Sequence, residues 1–151
     1  VTGGLGGGSS TVDNARLAAI PFVGQRLHQA ARVAAFAAIA AALRDAVALL
    51  DAAGKAARDT PHRAAVDALV RRCRARIVDA AAPFGEAGTA PETPAGDVRS
   101  LVRRAAAAIR RARSHRDHFG GDRDKIEATL ARIGDAFMET DDTFDGPGGD
   151  P

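Results

Sequence analysis

The chain has no Trp and no Tyr, a single Met, a single Cys, and only Lys55 and Lys125 as lysines beside its many arginines. Each shortage excludes something. Cys73 has no partner for an intrachain disulfide, so folding rests on burial alone, which suits a reducing cytoplasm at synthesis. Without Trp or Tyr, few rings are available to stack on unpaired bases. Long apolar runs are also scarce. The longest, residues 33–43, stops at Arg44 and Asp45, short of the roughly 20 residues that a bilayer span requires, so no membrane insertion is expected. Nor does a basic start followed by an apolar core and a small-residue cleavage site mark a secretory signal.

Alanine is what the chain has in abundance, about a quarter of its 151 residues, mostly inside runs with helical apolar spacing. Alanine is the best intrinsic helix former, and this usage predicts an all-α fold. The length fits one domain. The net charge is only +2, but the signs are segregated. Arginines crowd the centre from Arg63 to Arg116, and acids dominate from Asp135 onward.

The Gly/Ser-rich residues 1–12 read as a flexible arm, since they carry too little side-chain surface to offset their ordering entropy. They resemble a phosphate loop only superficially, having no preceding strand and no Lys. A bundle domain is expected over residues 13–143 and a disordered acidic Gly/Pro tail over 144–151. Asp13 caps a short helix over residues 14–20, and Pro21 then opens a new helix or kinks a continuing one. The core element follows. Val33, Phe36, Ala40, Leu43, Val47 and Leu50 recur at steps of three and four, the seam of a helix that packs lengthwise on a partner inside or outside the chain. Gly54 and the polar residues after it end this helix near Arg58.

Thr60-Pro61 and Thr93-Pro94 each place a capping residue before a proline suited to a first helical turn. Leu69-Val-Arg-Arg72 and Leu101-Val-Arg-Arg104 lie similarly far beyond these caps, which fits either an internal duplication or coincidence in Arg-rich helices. Residues 83–92 connect the two helices with a stretch long enough to reverse direction. The expected stripes are Val66, Leu69, Cys73 and Ile77, then Val98, Leu101, Ala105, Ile109 and Ala112, then Ile126, Leu130, Ile133 and Phe137 after a break at Phe119-Gly120-Gly121. The sum is an antiparallel bundle of about four principal helices with flexible Gly-rich ends.

Chemistry-bearing constellations are thin. Arg103 with Arg110, and Arg104 with Arg111, lie two turns apart and form basic ridges. Such ridges either bind nucleic-acid phosphates or pair with the acidic fourth helix. His115 and His118 lack the inward-pointing Glu partners of a bundle metal site, so neither a metal nor any other cofactor is expected. Cys73 lies in an apolar stripe, which predicts a buried thiol rather than a nucleophile. Asp141 and Asp142 are adjacent in sequence and point to different sides of a helix, so they do not form an acid-base pair. No enzymatic activity is expected.

Residues 119–144 resemble the closing half of the small helical secretion substrates of actinobacterial type VII systems, helical hairpins of the Trp-x-Gly type. Phe119-Gly120-Gly121 stands at their turn, and Phe137-Met-Glu-Thr-Asp141 stands where many carry a Tyr-x-x-x-Asp/Glu signal. The resemblance covers about a sixth of the chain. It implies a non-catalytic protein, often paired with a related helical partner, recognised at its C-terminal end by the pathway's ATPase and exported without a cleaved signal peptide. The site residues expected on this reading are Val33, Phe36, Leu43, Val47 and Leu50 for helix packing, with Phe137 and Asp141 for recognition. The alternative is a small cytoplasmic nucleic-acid-associated or regulatory protein that uses Arg103, Arg104, Arg110 and Arg111.

Overall fold

A computed structural model describes residues 10–85 and 93–145, with side chains over 26–85 and 93–144. Four principal helices carry the described residues: α1 (Ser10–Ala56), α2 (Arg63–Ala81), α3 (Val98–Arg113) and α4 (Arg123–Asp145). There is no β-strand among them. Short 3-10 turns at Ala82–Phe84, Arg116–His118 and Gly120–Asp122 complete the set. The fold is all-α, as the alanine content predicts.

Two compact units divide the chain, Val1–Ala35 and Phe36–Pro151. Of the expected Gly/Ser arm, residues 1–9 lie outside the described residues, and helix α1 is already formed at Ser10. It runs through Pro21 without interruption, so the short separate helix over 14–20 is part of α1. In the first unit the side chains of residues 26–34 are exposed, among them Leu27 at 67% and Val33 at 69%. Residues Arg26–Ala56 form a helix long and apolar enough to cross a membrane, with less than half of its most apolar stretch buried. The expectation of no such segment counted only the uninterrupted run over 33–43. A helical window tolerates the charges at Arg44 and Asp45.

The second unit is built around the remainder of α1. Ile39, Leu43, Ala46, Leu50 and Ala53 are sealed from solvent, together with Val66, Cys73 and Ile77 of α2, Leu101, Ala105 and Ile109 of α3, and Leu130, Ile133 and Phe137 of α4. These are the expected stripes of α2, α3 and α4. At one end Phe84 lies edge-on to Phe36, with ring centroids 5.2 Å apart, and tilted against Phe119 at 5.7 Å.

Contacts along the helices fix their directions. Asp51 reaches Arg74 and Phe36 meets Phe84, so α1 and α2 run antiparallel. His62 meets Phe144 and Arg72 meets Glu139, so α2 and α4 are antiparallel. Arg103 meets Asp141 and Arg113 meets Glu127, giving the same relation for α3 and α4. Packed neighbours are therefore antiparallel, whereas α2 and α3 point the same way. The chain after α2 must return along the bundle before α3 begins, a crossover connection rather than a simple reversal. Its residues 86–92 lie outside the described residues.

Helix ends depart from the sequence expectation. Thr60 does not cap α2: its hydroxyl donates to the Ala57 carbonyl at 2.8 Å and accepts from the His62 amide, which builds the turn before the helix. Thr93-Pro94 likewise precedes α3 by a loop, and Asp97 is the cap, its carboxylate accepting from the Ser100 amide at 2.8 Å. Gly120 adopts φ +75° between α3 and α4, a backbone conformation that costs glycine nothing and explains the break there. Helix α4 continues to Asp145, so Phe144, expected to open the tail, is a buried helical residue; residues 146–151 lie outside the described residues.

Candidate interaction surface

The acidic and basic halves of the sequence meet across helix boundaries. Arg103 Nε donates to Asp141 Oδ1 at 3.1 Å, and Arg99 lies 3.8 Å from the same oxygen. Arg111 lies 3.7 Å from Asp45, and Arg104 donates to the Ala95 carbonyl at 2.9 Å. Of the four ridge guanidiniums, that of Arg110 alone has no ion-pair or hydrogen-bond partner among the described residues. The ridge geometry thus brings three guanidiniums onto internal partners.

Phe137 is shut inside the core, and Asp141 bridges α4 to α3. Arg99 also stands over the Phe144 ring, 5.5 Å from its centroid, while His62 packs edge-on to that ring at 4.6 Å. Thus residues 137–144 form a packed helical end. His115 stands just before the Arg116–His118 turn and His118 is its last residue. Among the described residues no group of three or more His, Cys, Asp or Glu side chains is placed to hold a metal. Burial pushes the Cys73 thiol up from its ordinary pKa, with Arg72 and Arg76 pulling partly the other way. A thiol held protonated in this way is a poor nucleophile.

The expected packing seam divides. Leu43 and Leu50 are buried, Phe36 and Val47 are partly buried against the core, and Val33 is exposed. Ala40, Leu43 and Val47 form one wall of an open groove of about 360 Å³ whose other wall is Ile77, Val78 and Ala81 of α2. Val78, 49% exposed, is the apolar rim of this groove. Its only charged lining residue is Arg44, which lies 3.5 Å from Asp45. Sequence periodicity missed Val78 because it sits one residue beyond the buried Ile77, where a helix normally turns toward solvent. A second cleft, near Arg76, Lys125 and Arg132, also carries Asp79 and Asp122, so its charges are mixed.

Fold and surface together define a small all-helical protein, with no metal-binding cluster among the described residues. No family model matches the chain, no curated protein matches it, and no solved structure matches it.

Proposed function

We propose that this is a non-catalytic helix-binding protein that accepts the apolar face of a helix from a protein partner in the groove between α1 and α2. The observation that carries the reading is the groove itself. Its walls are Ala40, Leu43, Val47, Ile77, Val78 and Ala81, and an apolar strip between two helices matches the side-chain spacing of a third. Ala40 on the α1 wall and Ala81 on the α2 wall leave room for a partner side chain between the larger residues. Desolvating Val78 and the half-buried Val47 supplies a driving force of about 25 cal/mol for each Å² of apolar surface covered.

A type VII secretion role, with the pathway's ATPase as receptor, is a more specific form of the same reading. It needs Phe137 and Asp141 presented to that receptor, whereas Phe137 is buried and Asp141 is held by Arg99 and Arg103. Those positions support packing better than presentation. Nucleic-acid binding through the ridges needs free guanidiniums, and Arg103, Arg104 and Arg111 already have partners.

A photo-crosslinking residue placed at position 78 tests the groove, with the same residue at exposed position 76, about 160° away around α2, as control. A discrete adduct from position 78 alone, mapping to an apolar helical segment of another protein, is the expected result. Equal adduct patterns from both positions, or adducts to nucleic acid, would overturn the reading.

A further inference from the structure

The first half of α1, within the first compact unit, carries an inference that does not rest on the α1/α2 groove. Among the large apolar side chains exposed in the described residues, Val78 and Met138 stand singly, whereas Leu27 and Val33 fall within two turns of one helix, 67% and 69% exposed. Ala30, Ala31 and Ala34 between and beside them are exposed as well. Helical spacing puts residues 20, 23, 27, 30, 31 and 34 on one face, so that Ile20 and Val23 extend in sequence the strip that Leu27 and the alanines mark. At about 100° of turn per residue, Arg26 falls at one edge of this face and His28 and Arg32 fall at the other.

Charge and shape together decide what covers this face. Residues 14–44 hold Arg16, Arg26, Arg32 and Arg44 without a single Asp or Glu, the longest acid-free stretch of the chain. The next longest, residues 98–116, spans α3, where carboxylates of α4 meet Arg103 and Arg113. A second copy is a poor occupant, since two acid-free stretches laid together in either direction set cations against cations. Duplex nucleic acid is poor too: Arg26 and Arg32 stand about 120° apart around the helix rather than in one ridge, and the apolar face between them would meet phosphates. A helical protein partner needs a seam of interlocking side chains, whereas beyond Leu27 this face presents only alanine. An apolar strip edged by cations on both sides matches the boundary between headgroups and acyl chains in an anionic bilayer, which asks for no interlocking shape.

We infer that the first half of α1 lies in the surface of an anionic bilayer, with the face through Leu27 turned to the acyl chains and the guanidiniums of Arg26 and Arg32 at lipid phosphates on either edge. The aliphatic stems of both arginines lie along the apolar layer while their heads stay in water. The helix rests on the membrane and does not span it, because Ile39, Leu43 and Leu50 farther along α1 are sealed within the protein core. Charge draws the helix to the surface, and burial of the apolar strip holds it there.

Flotation of the full chain with lipid vesicles tests this, using phosphatidylcholine alone or mixed with phosphatidylserine. The native protein is expected to float with the phosphatidylserine vesicles only, and to be released as sodium chloride rises from about 0.1 M to about 0.5 M. Replacing both cations, Arg26→Gln with Arg32→Gln, is expected to weaken partitioning about 10-fold or more, since each cation at an anionic surface contributes several-fold. Leu27→Gln is expected to weaken it about 10-fold by removing an apolar anchor from the acyl layer. Arg110→Gln, at an exposed arginine of α3, is expected to leave it unchanged. All four side chains are exposed, and an unchanged helical circular dichroism spectrum checks that each variant folds. Equal binding to both vesicles overturns the inference, as does binding that Leu27→Gln leaves intact or a loss in Arg110→Gln as large as in the double variant. A native protein that ignores both vesicles also overturns it, and gives the face to nucleic acid if it retards a DNA duplex, or to a second copy if it sediments at twice 15.5 kDa until Leu27→Gln is introduced.

Discussion

At the scale of single residues, Cys73 offers the cleanest handle. Its thiol is buried in α2, and burial raises its pKa against the smaller opposing pull of Arg72 and Arg76. An unfolded chain ionises the thiol near its ordinary value of about 8.5, before the folded chain does. Between those two values the folded state holds the extra proton, so stability is full below about pH 8.5 and declines as pH rises toward the folded pKa. The chain suits the measurement, because it has no Tyr and only two Lys to titrate in the same range. Urea midpoints at neutral and alkaline pH are expected to fall in the native protein and to fall less in Cys73→Ala; parallel declines would remove the assignment. Size and burial separate other positions just as sharply. Leu130 is fully enclosed, and Leu130→Ala is expected to cost about 2–5 kcal/mol in a denaturant titration, through lost transfer energy and the cavity left behind. Val78→Ala touches a groove rim and is expected to stay within about 0.5 kcal/mol of the native protein. A large loss at Val78 would mean that the groove is closed in solution.

At the scale of the helix, the two Thr-Pro pairs show how far local chemistry reaches. Thr followed by Pro is a good start signal, yet α2 begins at Arg63 and α3 at Val98. The sequence supplies several potential caps in each loop, and the tertiary position of the first buried residue, Val66 or Val98, decides among them. Asp97→Ala removes the carboxylate that accepts from the Ser100 amide and is expected to cost about 1 kcal/mol, whereas Thr93→Ala is expected to cost almost nothing. The reverse order would restore the earlier start. The stripes of α2, α3 and α4 were largely legible because charged residues such as Arg72, Arg104, Arg110 and Arg132 interrupt the apolar positions and give the period its contrast, although the buried Val102, Ala108 and Ala136 lay outside the expected stripes. In α1 the contrast is missing. Alanine lies on every side of that helix, so the larger residues Val33, Phe36 and Val47 dominate the pattern although they lie on a flank. The fully enclosed face includes Ile39, Ala42, Ala46 and Ala53. The expected seam therefore follows the α1 wall of the groove more than the centre of the core. Val78 and Met138 were illegible for a related reason: a single apolar residue on a polar face carries no period.

At the scale of the molecule, charge segregation along the sequence becomes charge compensation in space. The basic centre forms α2 and α3, and the acidic end forms α4, which packs on both. Arg72–Glu139, Arg103–Asp141 and Arg113–Glu127 join these helices, and Asp45 and Asp51 of α1 join them to Arg111 and Arg74. Arg72 and Glu139 are 56% and 65% exposed, and pairs so open to water gain little net energy because solvent already stabilises the separated charges. The pairs bias which helix lies beside which, while alanine and branched aliphatic side chains supply the stability. That division predicts a weak salt response. Raising sodium chloride from about 0.1 M to about 1 M shortens the screening length from roughly 10 Å to 3 Å, enough to silence exposed pairs and leave core contacts intact. The thermal midpoint, followed by helical circular dichroism, is expected to move by only a few degrees, about what a change of 1 kcal/mol or less produces in a domain of this size. Leu130→Ala is expected to move it several times further at either salt concentration. A midpoint that collapses at high salt would reverse the order of these contributions and make the inter-helix arginines, rather than the alanine-rich core, the main support of the fold.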